Sequence, residues 1–152
     1  MKVVIASDHG GYQLKEELKT FIAQLGHEVA DYGAHTQDPV DYPDFAFLVA
    51  EAVAAGAADR GVMIDGIGAA SAMVANKVPG IRAASCSDTF TAAMSRAHND
   101  ANVLTLGARV IGSGLAREIV RVWLAAEFEG GRHMRRVSKV LDFEARYLGW
   151  RR

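Results

Sequence analysis

Five short apolar runs, each closed by glycine or a polar loop and each followed by a stretch of helical periodicity, limit what this chain can fold into more than any other feature. They are Val3 to Ala6, His27 to Tyr32, Gly61 to Asp65, Ile81 to Ser85 and Ala101 to Leu106. Between them, Tyr12 to Leu25 carries Leu14, Leu18, Phe21, Ile22 and Leu25 at three- and four-residue spacings and closes at Gly26, as an amphipathic helix does. Pro43 suits the first turn of a second helix running to about Ala55. Further helices are expected from the turn after Asp65 through Asn76, over Asp88 to His98, over Gly114 to Phe128 and over residues 135–148. Every strand-to-strand connection is long enough for a crossover, so the spacing predicts an α/β protein, a three-layer αβα sandwich around a five-stranded parallel sheet. No linker, repeat or low-complexity segment interrupts the pattern, and residues 1–152 read as one domain.

Composition excludes several functions. Half the residues are hydrophobic and the formal charge is −1, with no basic block to mark a nucleic-acid or membrane surface. No apolar run approaches the length of a membrane span, and the start Met1 to Ser7 turns polar quickly, so a cytoplasmic protein is expected. The lone Cys86 rules out an internal disulfide and a multi-thiolate metal site within one chain, and its apolar neighbours suit a small buried hydrophobe.

The chemistry is expected at Gly61 to Lys77, where an apolar run ends in Asp65 and passes through Gly66-Ile67-Gly68-Ala69-Ala70 into small helix formers. Such a junction aims backbone N–H groups into the crevice beyond the strand ends, although glycines there also serve simply to turn the chain. On this reading Asp8-His9, Tyr42, Asp65-Gly66 and His98-Asn99 converge at one sheet edge. Each has a plainer alternative: Asp8 as a helix cap, His98 as a group at a helix C-terminus, Tyr42 as a loop residue. Arg132 and Arg136, on one face if the last helix starts at Arg132, are expected to form a fork for a phosphate, the plainer alternative being a solvated basic helix start; cations at a helix N-terminus oppose its dipole, a conflict that a bound anion resolves.

Ser7-Asp8-His9-Gly10-Gly11, Asp41-Tyr42-Pro43, Ala75 to Arg82, Arg96 to Val103 and Glu129-Gly130-Gly131-Arg132-His133 together resemble type B ribose-5-phosphate isomerases and the related galactose-6-phosphate isomerase subunits. The likeness is collinear over nearly the whole chain. It implies a Rossmann-like aldose–ketose isomerase of phosphorylated sugars that needs no metal or organic cofactor. It also implies a homodimer or tetramer with sites at the dimer interface, the C-terminal helix packing on a partner subunit. By the same resemblance His9, Arg109, Arg132 and Arg136 hold the phosphate, His98 helps to open the sugar ring, and Asp8 and Tyr42 contact sugar hydroxyls. Asn99 and the N–H groups from Gly66, Ile67, Gly68, Ala69 and Ala70 stabilise an enediolate.

The chain departs from the family pattern at its centre. Asp65 stands where the usual base is cysteine, Ile67 where a hydroxyl residue is usual, and Ser71 where a cysteine-free branch carries glutamate. Asp65 is therefore the candidate base, with Val62-Met63-Ile64 and Ile67 expected to supply the desolvation that a carboxylate base needs. The loss of the hydroxyl at Ile67 suits an open-chain sugar. The alternatives are a subunit of a heteromeric isomerase that is inactive without its partner, and a sugar-phosphate-binding protein without catalysis. A dehydrogenase does not fit, since Gly66-Ile67-Gly68 lacks the third glycine and follows the third strand.

Overall fold

The computed structural model describes residues 1–148. Strands β1 (Lys2–Ser7), β2 (Glu28–Asp31), β3 (Arg60–Asp65), β4 (Ala83–Ser85) and β5 (Val103–Gly107) alternate with helices α1 (Tyr12–Gln24), α2 (Tyr42–Ala54), α3 (Ala69–Ala75), α4 (Thr89–Asn99) and α5 (Ser113–Ala125). Helix α6 (Arg132–Leu148) ends the described chain. The sheet order is β2-β1-β3-β5-β4, and every pairing is parallel. The expected α/β sandwich is therefore the observed one. The last helix begins three residues earlier than residue 135, at Arg132, because the positive-φ glycines Gly130 and Gly131 deliver the chain straight into a helical turn.

Alternation along the strands divides the core in two. Val3 and Ile5 of β1 face Leu14, Leu18, Ile119 and Trp123 of α1 and α5, whereas Val4 and Ala6 face Ala46, Val49 and Ala50 of α2. The chain winds away from β1 in both directions, so the crevice beyond the ends of β1 and β3 is where such a sheet admits a ligand. There Asp8 N donates to Ile64 O at 3.1 Å and closes the two strand ends together.

One charged group in this core escaped the sequence reading. Lys15, between Leu14 and Leu18 on the buried face of α1, is 0% exposed. Its ammonium donates to both oxygens of Asp31 at 2.9 Å and to Ala34 O at 2.7 Å. Lys19 reaches Asp31 Oδ2 at 2.6 Å. The pair thus anchors the start of the Gly33–Asp41 loop, which supports His9 and leads into Tyr42. Burial pushes the Asp31 carboxyl upward, but the two ammonium groups and the Gly33 N–H outweigh it and hold it below its ordinary value. That stabilisation is complete above the unfolded-state value, near pH 4, and is lost as pH falls through the folded-state value. Asp31→Ala leaves the Lys15 charge buried with Glu16 as its remaining carboxylate partner. Urea denaturation at pH 7 is expected to show a loss of about 3 kcal/mol, with the difference from wild type shrinking as the pH is lowered below about 4.

Candidate functional site

The polar groups fall into two clusters at opposite edges of the sheet. At the carboxyl edge, Asp8 and His9 follow β1, Tyr42 opens α2 after β2, Gly66 to Ala70 follow β3, and Arg109 follows β5. Asp8 accepts Gly11 N–H at 3.0 Å and so shapes the turn into α1. His9 Nδ1 lies 3.2 Å from both N and O of Val40, an exposed ring seated on the loop that Lys15 anchors. Arg109 is drawn to the β3 turn by its own N–H, which donates to Gly66 O at 3.1 Å.

Asp65 lies at the centre of this edge and is 2% exposed. Its Oδ1 accepts the N–H of Ile67 at 2.7 Å and of Gly68 at 2.5 Å, and its Oδ2 accepts the N–H and the hydroxyl of Ser71. Four donors occupy the acceptor positions of the carboxylate. The N–H groups of Ile67 and Gly68, expected from sequence to face an enediolate, point at Asp65, which leaves Gly66, Ala69 and Ala70 from that set. Burial around Asp65 is real, but Ile67 takes no part in it within the chain, because its side chain is 59% exposed at the mouth of the crevice.

Gly68 is required at this turn. Its φ is +80°, and a Cβ there would lie 2.9 Å from Ser85 Oγ and 3.0 Å from the Leu106 carbonyl carbon. Gly66 has room, since a Cβ would meet nothing nearer than Arg109 Cδ at 3.8 Å.

The second cluster lies at the amino edge. His98 and Asn99 end α4, and α4 precedes β5, so they sit beside the beginning of β5 and not beyond its end. The convergence of His98-Asn99 with Asp8, Tyr42 and Asp65 expected from sequence is therefore not formed within one chain. The first and last Cα of a five-residue strand are about 13 Å apart, and a helix running back along the sheet carries its C-terminus to the opposite edge from the loops that follow the strands. Glu129 N donates to Ala97 O at 3.0 Å, bringing the start of α6 to the same place. The rings of His98 and His133 stack with centroids 4.1 Å apart. Arg136 and Asn99 line one groove of about 1070 Å³ between α6 and the β4–α4 side of the sheet. No acidic residue balances Arg132, Arg135 and Arg136 in the first turns of α6. His133, missed from sequence and 5% exposed, is held below its ordinary value first by desolvation and then by His98, Arg132 and Arg136. It therefore favours folding when neutral, and that contribution fades as pH falls below the ordinary histidine value of about 6.5.

A five-stranded parallel αβα sheet with polar groups gathered beyond the carboxyl ends of its strands defines the class of open α/β proteins that take small-molecule ligands at that edge. The Ribose/Galactose Isomerase family pattern matches residues 3–140, and the chain belongs to that family. Ribose-5-phosphate isomerase B of Escherichia coli is 45% identical over 95% of this chain and 97% of its own. The solved ribose-5-phosphate isomerase B of Clostridium thermocellum superposes with a TM-score of 0.95 at 55% identity, covering 97% of this chain and 99% of that one. A structure of the Mycoplasma genitalium enzyme with bound ribulose-5-phosphate gives a TM-score of 0.91 at 41% identity, covering 95% and 96%.

Gly68→Ala is expected to cost more than about 2 kcal/mol, from the strained φ and the backbone contact combined. Gly66→Ala is expected to stay within about 1 kcal/mol of wild type. Thermal denaturation of the two variants side by side checks the assignment of the turn.

Proposed function

We propose that this chain interconverts the aldose and ketose forms of a phosphorylated sugar, at a site composed of the carboxyl edge of one copy and the amino edge of a second. The observation that carries the shared site is the placement of the two clusters at opposite ends of the same strands, each holding only part of the set the chemistry needs. An unpartnered helix supports it as well. Of the seventeen residues of α6 only His133 and Val137 are buried. Met134, Val140, Leu141, Phe143 and Leu148 stay exposed, as an arm waiting for a second subunit would leave them.

In the assembled site His9 and Arg109 of one copy meet Arg132 and Arg136 of the other around the phosphate, which positions the sugar by remote binding energy. Asp8 and Tyr42 contact sugar hydroxyls. His98 moves the proton that opens the ring. Asp65 takes the proton from C2 of the aldose and returns it to C1, while the hydroxyl proton passes from O2 to O1. Asn99 and the free N–H groups of the β3 turn stabilise the enediolate formed between the two steps. The exposed, hydroxyl-free Ile67 at the mouth favours an open-chain substrate such as a tetrose phosphate over one that needs help to open.

A second reading has a specific observation in its favour. With four donors on its carboxylate, Asp65 has to release one before it can take a proton from carbon, and the Ser71 hydroxyl is the only one of the four that can turn away without moving the backbone. A chain whose Asp65 stays locked would bind phosphosugar and depend on a different subunit for the base.

The test is turnover of tetrose, pentose and hexose phosphates by the purified protein alone, with Asp65→Asn checked for fold and assembly alongside. The expected result is turnover that Asp65→Asn lowers by about 10²- to 10⁴-fold, the usual weight of a general base. Turnover retained by the variant removes Asp65 as base. Tight phosphosugar binding with no turnover, restored by adding a relative that carries the cysteine, establishes the heteromeric reading.

A further inference from the structure

Two stretches of the sequence, Ala75 to Arg82 and Arg96 to Val103, meet at the amino edge, and the residues in them that the isomerase reading leaves unassigned form one hydrogen-bond network. Its centre is Asp100, the residue that ends α4. Asp100 has φ +49° and ψ +43°, the left-handed conformation that glycine adopts freely and other residues seldom do. Its N–H closes the helix on Arg96 O at 3.0 Å, a role that glycine would fill. The carboxylate has a different use.

Each of its oxygens meets a guanidinium: Arg82 Nη2 donates to Oδ2 at 2.9 Å and Arg96 Nη1 to Oδ1 at 2.8 Å. Arg96, which is buried, also donates from Nη1 to Ala101 O at 2.7 Å. Arg82 Nε donates to the main-chain oxygens of Asp100 at 2.9 Å and of Asn99 at 3.2 Å. One guanidinium thus holds the carboxylate and the last carbonyls of α4 together, which a planar fork of donors can do and a single ammonium cannot. Arg82 is itself fixed. Asn102 Oδ1 accepts the Arg82 N–H at 2.8 Å while Asn102 Nδ2 donates to Gly80 O at 2.9 Å, and the Asn76 amide brackets Ala83 in the same way, accepting its N–H at 2.8 Å and donating to its carbonyl at 2.9 Å.

We propose that Asp100 and Arg82 are positioning residues for Asn99 and His98, clamping the end of α4 so that both side chains are presented to the substrate at a fixed place. This rests on the reading of Asn99 as a group that stabilises the enediolate and of His98 as the group that opens the ring. Asn99 is exposed, so the stand of its amide follows from the main chain that carries it, and Arg82 holds that main chain directly. Arg132 and Arg136 are carried by α6, outside the clamp. Slack at the end of α4 therefore weakens binding of the enediolate and leaves the phosphate grip as it is.

Two variants of the full-length assembled protein test this. Asp100→Gly suits the left-handed backbone and removes the clamp, and Arg82→Gln removes one guanidinium while Asp100 stays paired with Arg96. Calorimetry compares inorganic phosphate with a phosphorylated sugar hydroxamate, a mimic of the enediolate. Both variants are expected to bind phosphate within about twofold of wild type and the hydroxamate about 10- to 100-fold more weakly, with kcat lowered by a similar factor and KM little changed, since a displacement of about 1 Å commonly has that effect. If Asp100 is only a helix cap, Asp100→Gly binds the hydroxamate and turns over as the wild type does, which overturns the proposal. Hydroxamate affinity unchanged in Arg82→Gln overturns it too, as does an equal loss of phosphate and hydroxamate binding, the mark of a fold loosened throughout. If Asp100→Gly fails to fold with Arg96 left buried, the Arg82→Gln comparison decides alone. A wild type without turnover refutes the isomerase reading while the hydroxamate comparison still decides the clamp, and a wild type that binds phosphate but no hydroxamate overturns both.

Discussion

The short set of hydrogen bonds around Asp65 holds the first half of the site together. The carboxylate at the end of β3 gathers the N–H groups of Ile67, Gly68 and Ser71, so it decides where the turn goes and where α3 begins. Ala108 N then donates to Asp65 O at 2.8 Å and Arg109 N to Gly66 O, which ties the end of β5 to the same turn. Asp8 joins from the β1 side through Ile64 O. Three strand ends are thus registered on one turn, and the groups proposed to meet a sugar phosphate inherit their positions from it. The same carboxylate is the candidate base. A group that is both the keystone of a turn and a proton acceptor has competing demands on its lone pairs, and Ser71 Oγ is where the two can be reconciled.

Much of this was legible in the sequence, for physical reasons. The apolar runs of β1, β3 and β5 are near-continuous because the sheet buries both faces of these central strands, the edge strands β2 and β4 being only partly covered, and the helices show three- and four-residue spacing because each covers one face. Asp65 was visible as a carboxylate at a strand end followed by glycines. Its saturation by donors was not, since Ser71 lies six residues away and comes close only once α3 has formed. The placement of His98 and Asn99 with the strand-end groups overlooked chain direction: a helix that returns antiparallel to the strands carries its last residues to the opposite edge.

Other features lay beyond local pattern. Lys15 breaks the apolar stripe of α1 and reads as a solvent-facing residue until Asp31 and Ala34 are brought against it. The stack of His98 on His133 depends on how α6 docks against α4, which the two glycines permit and no spacing in the sequence specifies. The three arginines in the first turns of α6 were legible directly from the sequence, and no acidic residue in the first turn of the helix balances them.

The central claim is that each site is built from two copies, and subunit mixing tests it most directly. His9→Ala damages only the carboxyl-edge half and Arg136→Ala only the amino-edge half, and both residues are exposed, so the fold should survive each change. If the halves come from different copies, mixed dimers carry one doubly damaged site and one intact site. Random exchange between two variants that are each nearly inactive is then expected to restore about a quarter of wild-type turnover, half of the dimers being mixed and half of their sites intact. A mixture no more active than the sum of its parts, with subunit exchange confirmed by mass, would contradict the account.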